Sequence, residues 1–170
     1  GQQISSPYVR GTIDDMLLAA IQAHNAGEME KAVKIYTDII ESEPVPSSVI
    51  LSVILKHRGM AFFAQNKYRE ALNDFQQSVA YQADNFRSLY YIGIVHSVLG
   101  DNDKAIDFFN QSLSINEHQS HVYYRRALAK YNLGNYVESS SDLATANSMG
   151  LDDDDCRHLQ DCLMRKFDMS

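Results

Sequence analysis

The side chains best suited to chemistry in this chain are its six histidines, its two cysteines and a run of four aspartates. The histidines, His24, His57, His96, His118, His121 and His158, are scattered, and none has the spacing of a metal motif such as HExxH. His118 and His121 are three apart, but a predicted boundary between helices falls beside them. Cys156 and Cys162 lie six apart, which on a helix is a rotation of about 600° and separates them around the axis. They are therefore read as free thiols of a reducing compartment, not as a disulfide or half of a zinc site. Asp152–Asp155 could tempt a metal, but four consecutive carboxylates at a helix start do not converge, and the helix dipole accounts for them. Catalysis needs an acid, a base or a nucleophile brought together. The residues supply no such set, so the chain is expected not to be an enzyme and to need no cofactor or metal.

A different chemistry is present. Lys56, Arg87 and Arg125 are cations, and Tyr90, Tyr91 and Tyr124 are aromatics with a polar tip, all within segments of helical character. Guanidinium and ammonium groups beside tyrosines suit the capture of carboxylates with desolvated contact area around them. Whether these residues share a surface depends on the elements that carry them.

Those elements repeat. The segments AFFAQNKYREAL, SVLGDNDKAI and YNLGNYVESS align so that Asn66, Gly100 and Gly134 are 34 residues apart. Gly59, Gly93 and Ala127 keep the same spacing, and so do Ala71, Ala105 and Ser139. An earlier copy, AAIQAHNAGEMEKAVKIYTDIIESEP, places Ala20, Gly27, Ala32 and Tyr36 in the same relative positions, offset by five extra residues. The surplus falls at Pro44–Ser48, where prolines stop a helix and serines can cap the next one. A longer first helix in the second repeat follows. Small residues at the eighth and twentieth positions allow two helices to cross closely. Glycine or asparagine at the turn accepts a left-handed backbone. The large residues Tyr36, Phe75, Phe109 and Leu143 are expected to fill the space between successive pairs.

This pattern resembles the tetratricopeptide-repeat (TPR) family over about residues 13–151. It implies an all-α, right-handed superhelix (α-solenoid) of about four helix pairs plus a C-terminal capping helix. Helices are expected at about 13–26, 28–42, 48–65, 67–82, 86–99, 101–115, 120–133, 135–149 and 153–167. The domain organisation expected is a flexible N-terminal segment, 1–11, then one TPR domain, 12–167. Its repeats would cover 13–46, 52–85, 86–119 and 120–151.

The resemblance also implies a concave wall lined by the first helix of each pair, and a non-enzymatic role as a protein–protein interaction module that binds a peptide there. Projected onto that wall, Lys56, Arg87, Tyr90, Tyr91, His121, Tyr124 and Arg125 are the expected peptide-binding residues. Three fixed cations and one acid, Asp14, face the groove of a chain whose net charge is −7. An acidic peptide or a C-terminal carboxylate fits that sign. HVYYRRALAKYNLG is similar to the third repeat of the TPR subset that clamps chaperone tails. Lys56 and Arg125 match two of that clamp's five positions, whereas Met60, Tyr91 and His121 replace the other three.

The acidic balance excludes a sequence-independent hold on nucleic acid or an anionic membrane. No run of roughly 18 apolar residues is available for membrane insertion, GQQISSPYVR does not form a signal peptide, and a cytoplasmic location is expected. The alternative reading is a homo-oligomer or structural subunit associating through the apolar segment Val49–Leu55, where part of Val49, Ile50 and Leu51 is expected to lack a neighbouring helix unless residues 1–11 or the first repeat cover it.

Overall fold

The structure, a computed structural model, describes residues 12–168. The segment 1–11 expected to be flexible lies outside the described residues. Nine α-helices make up what is described, with no strand among them. They are α1 (Ile13–Asn25), α2 (Met29–Ile40), α3 (Ser48–Ala64), α4 (Tyr68–Tyr81), α5 (Phe86–Val98), α6 (Asn102–Ile115), α7 (Ser120–Asn132), α8 (Tyr136–Ser148) and α9 (Asp154–Asp168). The fold is all-α, as the 34-residue period demands, and the helix ends fall within two residues of those expected. Two compact units divide the chain between Ala83 and Asp84.

In the first unit, α1 pairs with α2 and α3 with α4. The turns use the left-handed backbone that the sequence called for, with Gly27 at φ +81° and Asn66 at φ +61°. There the Glu28 amide donates to the Ala23 carbonyl at 2.8 Å, and the Lys67 amide to that of Phe62 at 2.9 Å, closing the helix ends. Ala20 and Ala32 are fully buried where α1 and α2 cross, and Ile35, Tyr36 and Ile39 complete that core with Ile54 of α3. Ser47 caps α3, accepting a hydrogen bond from the Ile50 amide at 3.3 Å. At 17 residues, α3 is longer than α1 at 13.

One expectation holds only in part. Leu51 is buried, because the 100° helical step turns it inward with Ile54 and Leu55 and leaves only Val49 largely exposed and Ile50 half-buried. The large residues at the twenty-fourth position fill space between successive pairs as expected, Tyr36 against Ile54 and Ala61 and Phe109 against Val122 and Ala129, and the phenylalanines also fill space within their own pairs. A Cβ added to Gly59 would lie 2.6 Å from the Phe75 ring, and one added to Gly93 only 2.5 Å from the Phe109 ring. Each phenylalanine occupies the space that its own pair's glycine leaves.

The second unit stacks α5 on α6, α7 on α8, and closes with α9. Gly100 and Gly134 repeat the left-handed turn at φ +85° and +83°. Ser112 donates to the Phe86 carbonyl at 2.7 Å, one period on from the link of Ser78 to the Ser52 carbonyl at 2.6 Å in the first unit. Ser139 replaces the usual alanine without orphaning its hydroxyl, which donates to the Ala127 carbonyl at 2.6 Å. The buried residues of α9, Cys156, Leu159 and Leu163, pack on Ala127 and Leu143. Both cysteines are free thiols.

Candidate functional site: an aromatic and arginine wall on α5 and α7

Six of the seven expected binding residues come together in the second unit. α5 supplies Arg87, Tyr90 and Tyr91, and α7 supplies His121, Tyr124 and Arg125. The helical period explains the set. Arg87, Tyr90 and Tyr91 are spaced i, i+3, i+4, as are His121, Tyr124 and Arg125, so each triplet forms a single face.

The rings bind the two faces together. Tyr90 stands at the centre, with its ring 5.2 Å from that of Tyr91, 5.8 Å from Phe109 and 4.9 Å from His121, to which it is perpendicular. Tyr90 also packs against the buried cluster of Ala105, Phe109, Leu113, Val122 and Ala129. Its aromatic body is thus part of the core while its hydroxyl lies within hydrogen-bonding reach of the Arg125 guanidinium. Tyr124 likewise packs on the cluster of Leu143 and Leu159. Both arginines are steered by a ring. Arg87 sits 4.8 Å above Phe86, and Arg125 5.8 Å above Tyr124. Phe86 could have been recognised as a partner of Arg87 by adjacency, but only its rotamer makes it a platform.

The site is electropositive. Burial pushes the Tyr90 hydroxyl above its ordinary range, opposed by Arg125, and Tyr91 is raised in the same way, opposed by Arg87. Partial burial, then Arg87 and Arg125, hold the His121 imidazole below its usual value, which keeps it neutral at pH 7. Tyr124 is raised by burial and next by Asp155, with Asp153 a smaller contribution, so the start of α9 places negative charge at this end of the wall. Among the described residues neither Arg87 nor Arg125 is in an ion pair.

That last point separates Arg125 from its neighbour. Arg126 is fixed on Asp142 by two hydrogen bonds, Nε to Oδ2 at 2.8 Å and Nη2 to Oδ1 at 2.7 Å, and it donates to Asn110 at 2.8 Å. Lys130 joins Asp142 at 2.9 Å. Arg58 and Asp74 repeat this clamp two periods earlier, at 2.7 and 2.8 Å. The sequence reading missed these pairs, although Arg and Asp recur at the seventh and twenty-third positions of repeats two and four. Repeat three has Ile92 and Phe108 there, and Phe108 stacks instead on His96, with ring centroids 5.6 Å apart.

Lys56, the seventh expected residue, lies half-buried on α3 in the first unit. It precedes His57, whose ring stacks on Tyr36 at 6.0 Å. Among the described residues no group of three or more His, Cys, Asp or Glu side chains could hold a metal ion. No described helix is long and apolar enough to cross a membrane.

Comparison with known proteins agrees with this architecture. Residues 58–120 match the family model of the tetratricopeptide repeat. Photosystem I assembly protein Ycf3 of Rippkaea orientalis (strain PCC 8801 / RF-1) is 32% identical over 96 residues, covering 54% of this chain and 56% of that protein. The chain spans about half the length of the curated relatives it matches. Among solved structures, Pseudomonas aeruginosa pilF superposes with a TM-score of 0.81 at 19% identity, over 94% of this chain and 70% of that one. The first TPR of Spaghetti (RPAP3), bound to the HSP90 peptide SRMEEVD, gives a TM-score of 0.68 at 17% identity, over 71% and 96%. At these identities the structural likeness speaks for the fold alone. Residues 58–120 thus carry the tetratricopeptide repeat, and the same period and helix pairing continue on either side of them.

Proposed function

We propose that this tetratricopeptide-repeat chain is an adaptor that holds a peptide segment of a partner protein on the wall formed by α5 and α7. The segment carries acidic side chains or a free C-terminal carboxylate. The observation that carries this reading is the pair of ring-steered arginines, Arg87 and Arg125, neither of which is in an ion pair with any described residue, beside neutral His121. A guanidinium held by a ring keeps its in-plane donors for a carboxylate, and the neighbouring tyrosines supply contact area. The peptide SRMEEVD on the Spaghetti (RPAP3) domain is of this chemical kind, and Ycf3 is by name an assembly protein, so protein partners suit relatives of this fold. Met60, Tyr91 and His121 in place of three clamp residues favour a natural partner other than a chaperone tail, so SRMEEVD serves as a probe of carboxylate capture and not as the expected partner. The two free cysteines suit a reducing compartment, and the proposed adaptor acts in the cytoplasm.

Titration of acidic peptides with free and amidated C-termini, SRMEEVD among them, tests the proposal. Arg125→Glu should weaken binding by roughly 30-fold or more, since a like charge replaces a paired one. Lys104→Glu should leave it unchanged, because Lys104 is exposed on α6 and pairs with Asp101 at 3.6 Å. Equal affinities for both variants and the wild type would remove the α5–α7 wall from the mechanism.

A second reading has one observation of its own. Ile13, Leu17, Val49, Ile50, Val53 and Ile54 line an open, mostly apolar cleft of about 370 Å³ in the first unit. Apolar surface that no described residue covers suits self-association or a structural contact.

A further inference from the structure

His121 sits where capture of an anion and capture of a proton become one event. Its ring is edge-on to Tyr90 at 4.9 Å, and the two fixed charges acting on it are both positive, Arg87 from α5 and Arg125 from its own helix. The other titratable groups on the two faces are Tyr90 and Tyr91 from α5 and Tyr124 from α7. Phe109 of α6, beneath Tyr90, brings no charge. From α9, Asp153 and Asp155 act on Tyr124. In the preceding loop, exposed His118 lies 3.7 Å from Glu117.

We infer that an anionic group held between Arg87 and Arg125 is bound together with one proton, which His121 takes from solvent and keeps only in the complex. The inference rests on the peptide-binding reading above and goes beyond it by fixing the ionisation state of the bound site. In the empty site, partial burial and two guanidinium charges oppose an imidazolium. An anionic oxygen between the arginines cancels the field that opposed protonation. It also presents an acceptor to the imidazole N–H. Both changes favour the charged ring, and no other group of the wall responds in this way near neutrality. Tyr90, Tyr91 and Tyr124 are pushed up and away from it, and arginine does not titrate. The balance is simple. A neutral imidazole plus a proton from water or buffer gives an imidazolium that donates to the ligand oxygen, and release of the ligand returns the proton.

Binding is thereby tied to pH where peptide carboxylates are already ionised. By linkage, the complex holds more protons than the free site, so affinity rises as pH falls from about 8 to about 6. One proton limits the slope to tenfold per pH unit, and a gain of roughly threefold or more over that window is expected.

Two measurements test this. Calorimetry of the histidine-free peptide SRMEEVD in PIPES and in Tris, buffers of different ionisation enthalpy, should show uptake of a substantial fraction of a proton near neutrality. His121→Gln should remove the uptake and flatten the pH dependence while binding persists. In the second, NMR titration of the histidine rings in glutarate, against chloride at equal ionic strength, should move the His121 midpoint upward and leave that of His118 in place. Arg87→Gln combined with Arg125→Gln should abolish the shift. Peptide binding with no proton uptake, or a His121 midpoint indifferent to glutarate, overturns the inference and leaves the peptide-binding reading standing. Failure of every acidic peptide to bind overturns both.

Discussion

His57 shows how a single buried side chain sets a pH limit on this fold. Burial first, then Lys56 and His24, push its imidazole down to about 4, and it stacks on Tyr36, whose hydroxyl burial pushes up to about 12. In the unfolded chain the same ring titrates near 6.5. Between those values the unfolded state binds a proton that the folded state refuses, so stability falls as pH drops from about 6.5 towards 4. The loss is at most about 3 kcal/mol. Urea midpoints measured across that window should decline in the wild type and decline less in His57→Phe, which keeps the stack without the charge. Parallel declines in both proteins would place the acid sensitivity elsewhere. Arg125 and Arg126 make a related point about selectivity at this scale. They are neighbours in sequence, yet Asp142 and Asn110 hold one while the other lies over Tyr124 beside the Tyr90 hydroxyl.

Each helix pair is decided by what stands at its closest crossing. In repeats two and three a glycine at the eighth position faces a phenylalanine at the twenty-fourth, and in repeat four Ala127 accompanies Leu143. The combinations conserve volume across the crossing. Gly93→Ala inserts a methyl group where the Phe109 ring already lies, at a cost of about 1–3 kcal/mol that outweighs the gain in helix propensity. Phe109→Leu alone leaves a cavity and costs about 1–2 kcal/mol. The double variant reproduces the pairing of repeat four and should be more stable than the sum of the single effects by about 1 kcal/mol, read from a double-mutant cycle in urea. Strict additivity would mean that the two positions do not share the space. Because α5 carries Gly93 as well as Arg87, Tyr90 and Tyr91, this crossing also orients the arginine wall.

The whole chain pairs an electropositive wall in its second unit with a net charge of −7. If the wall holds an acidic segment as proposed, that sign reversal steers the segment towards α5 and α7. The first unit offers a different surface, the apolar cleft beside α1 and α3, with Leu18 and Val49 more than half exposed. If that cleft joins copies of the chain, sedimentation should show self-association at high micromolar concentration. Val49→Glu with Ile50→Lys should return it to a monomer without changing peptide affinity at the wall. A wild type that stays monomeric would leave self-association without support.

The 34-residue period, readable from Gly59, Gly93, Ala127 and their partners, determined the helix pairs, their ends and the left-handed turns, because these depend on local backbone preference and on side-chain size at fixed spacing. The same period placed Arg87, Tyr90, Tyr91, His121, Tyr124 and Arg125 on the first helices of their pairs. Tertiary packing decided the rest. It turned Leu51 inward, seated Phe109 against Gly93, paired Arg126 with Asp142 and left Arg125 over Tyr124. Period alone cannot rank two adjacent arginines, since their difference lies in which carboxylates and rings arrive from other helices, and those contacts exist only once the chain has packed.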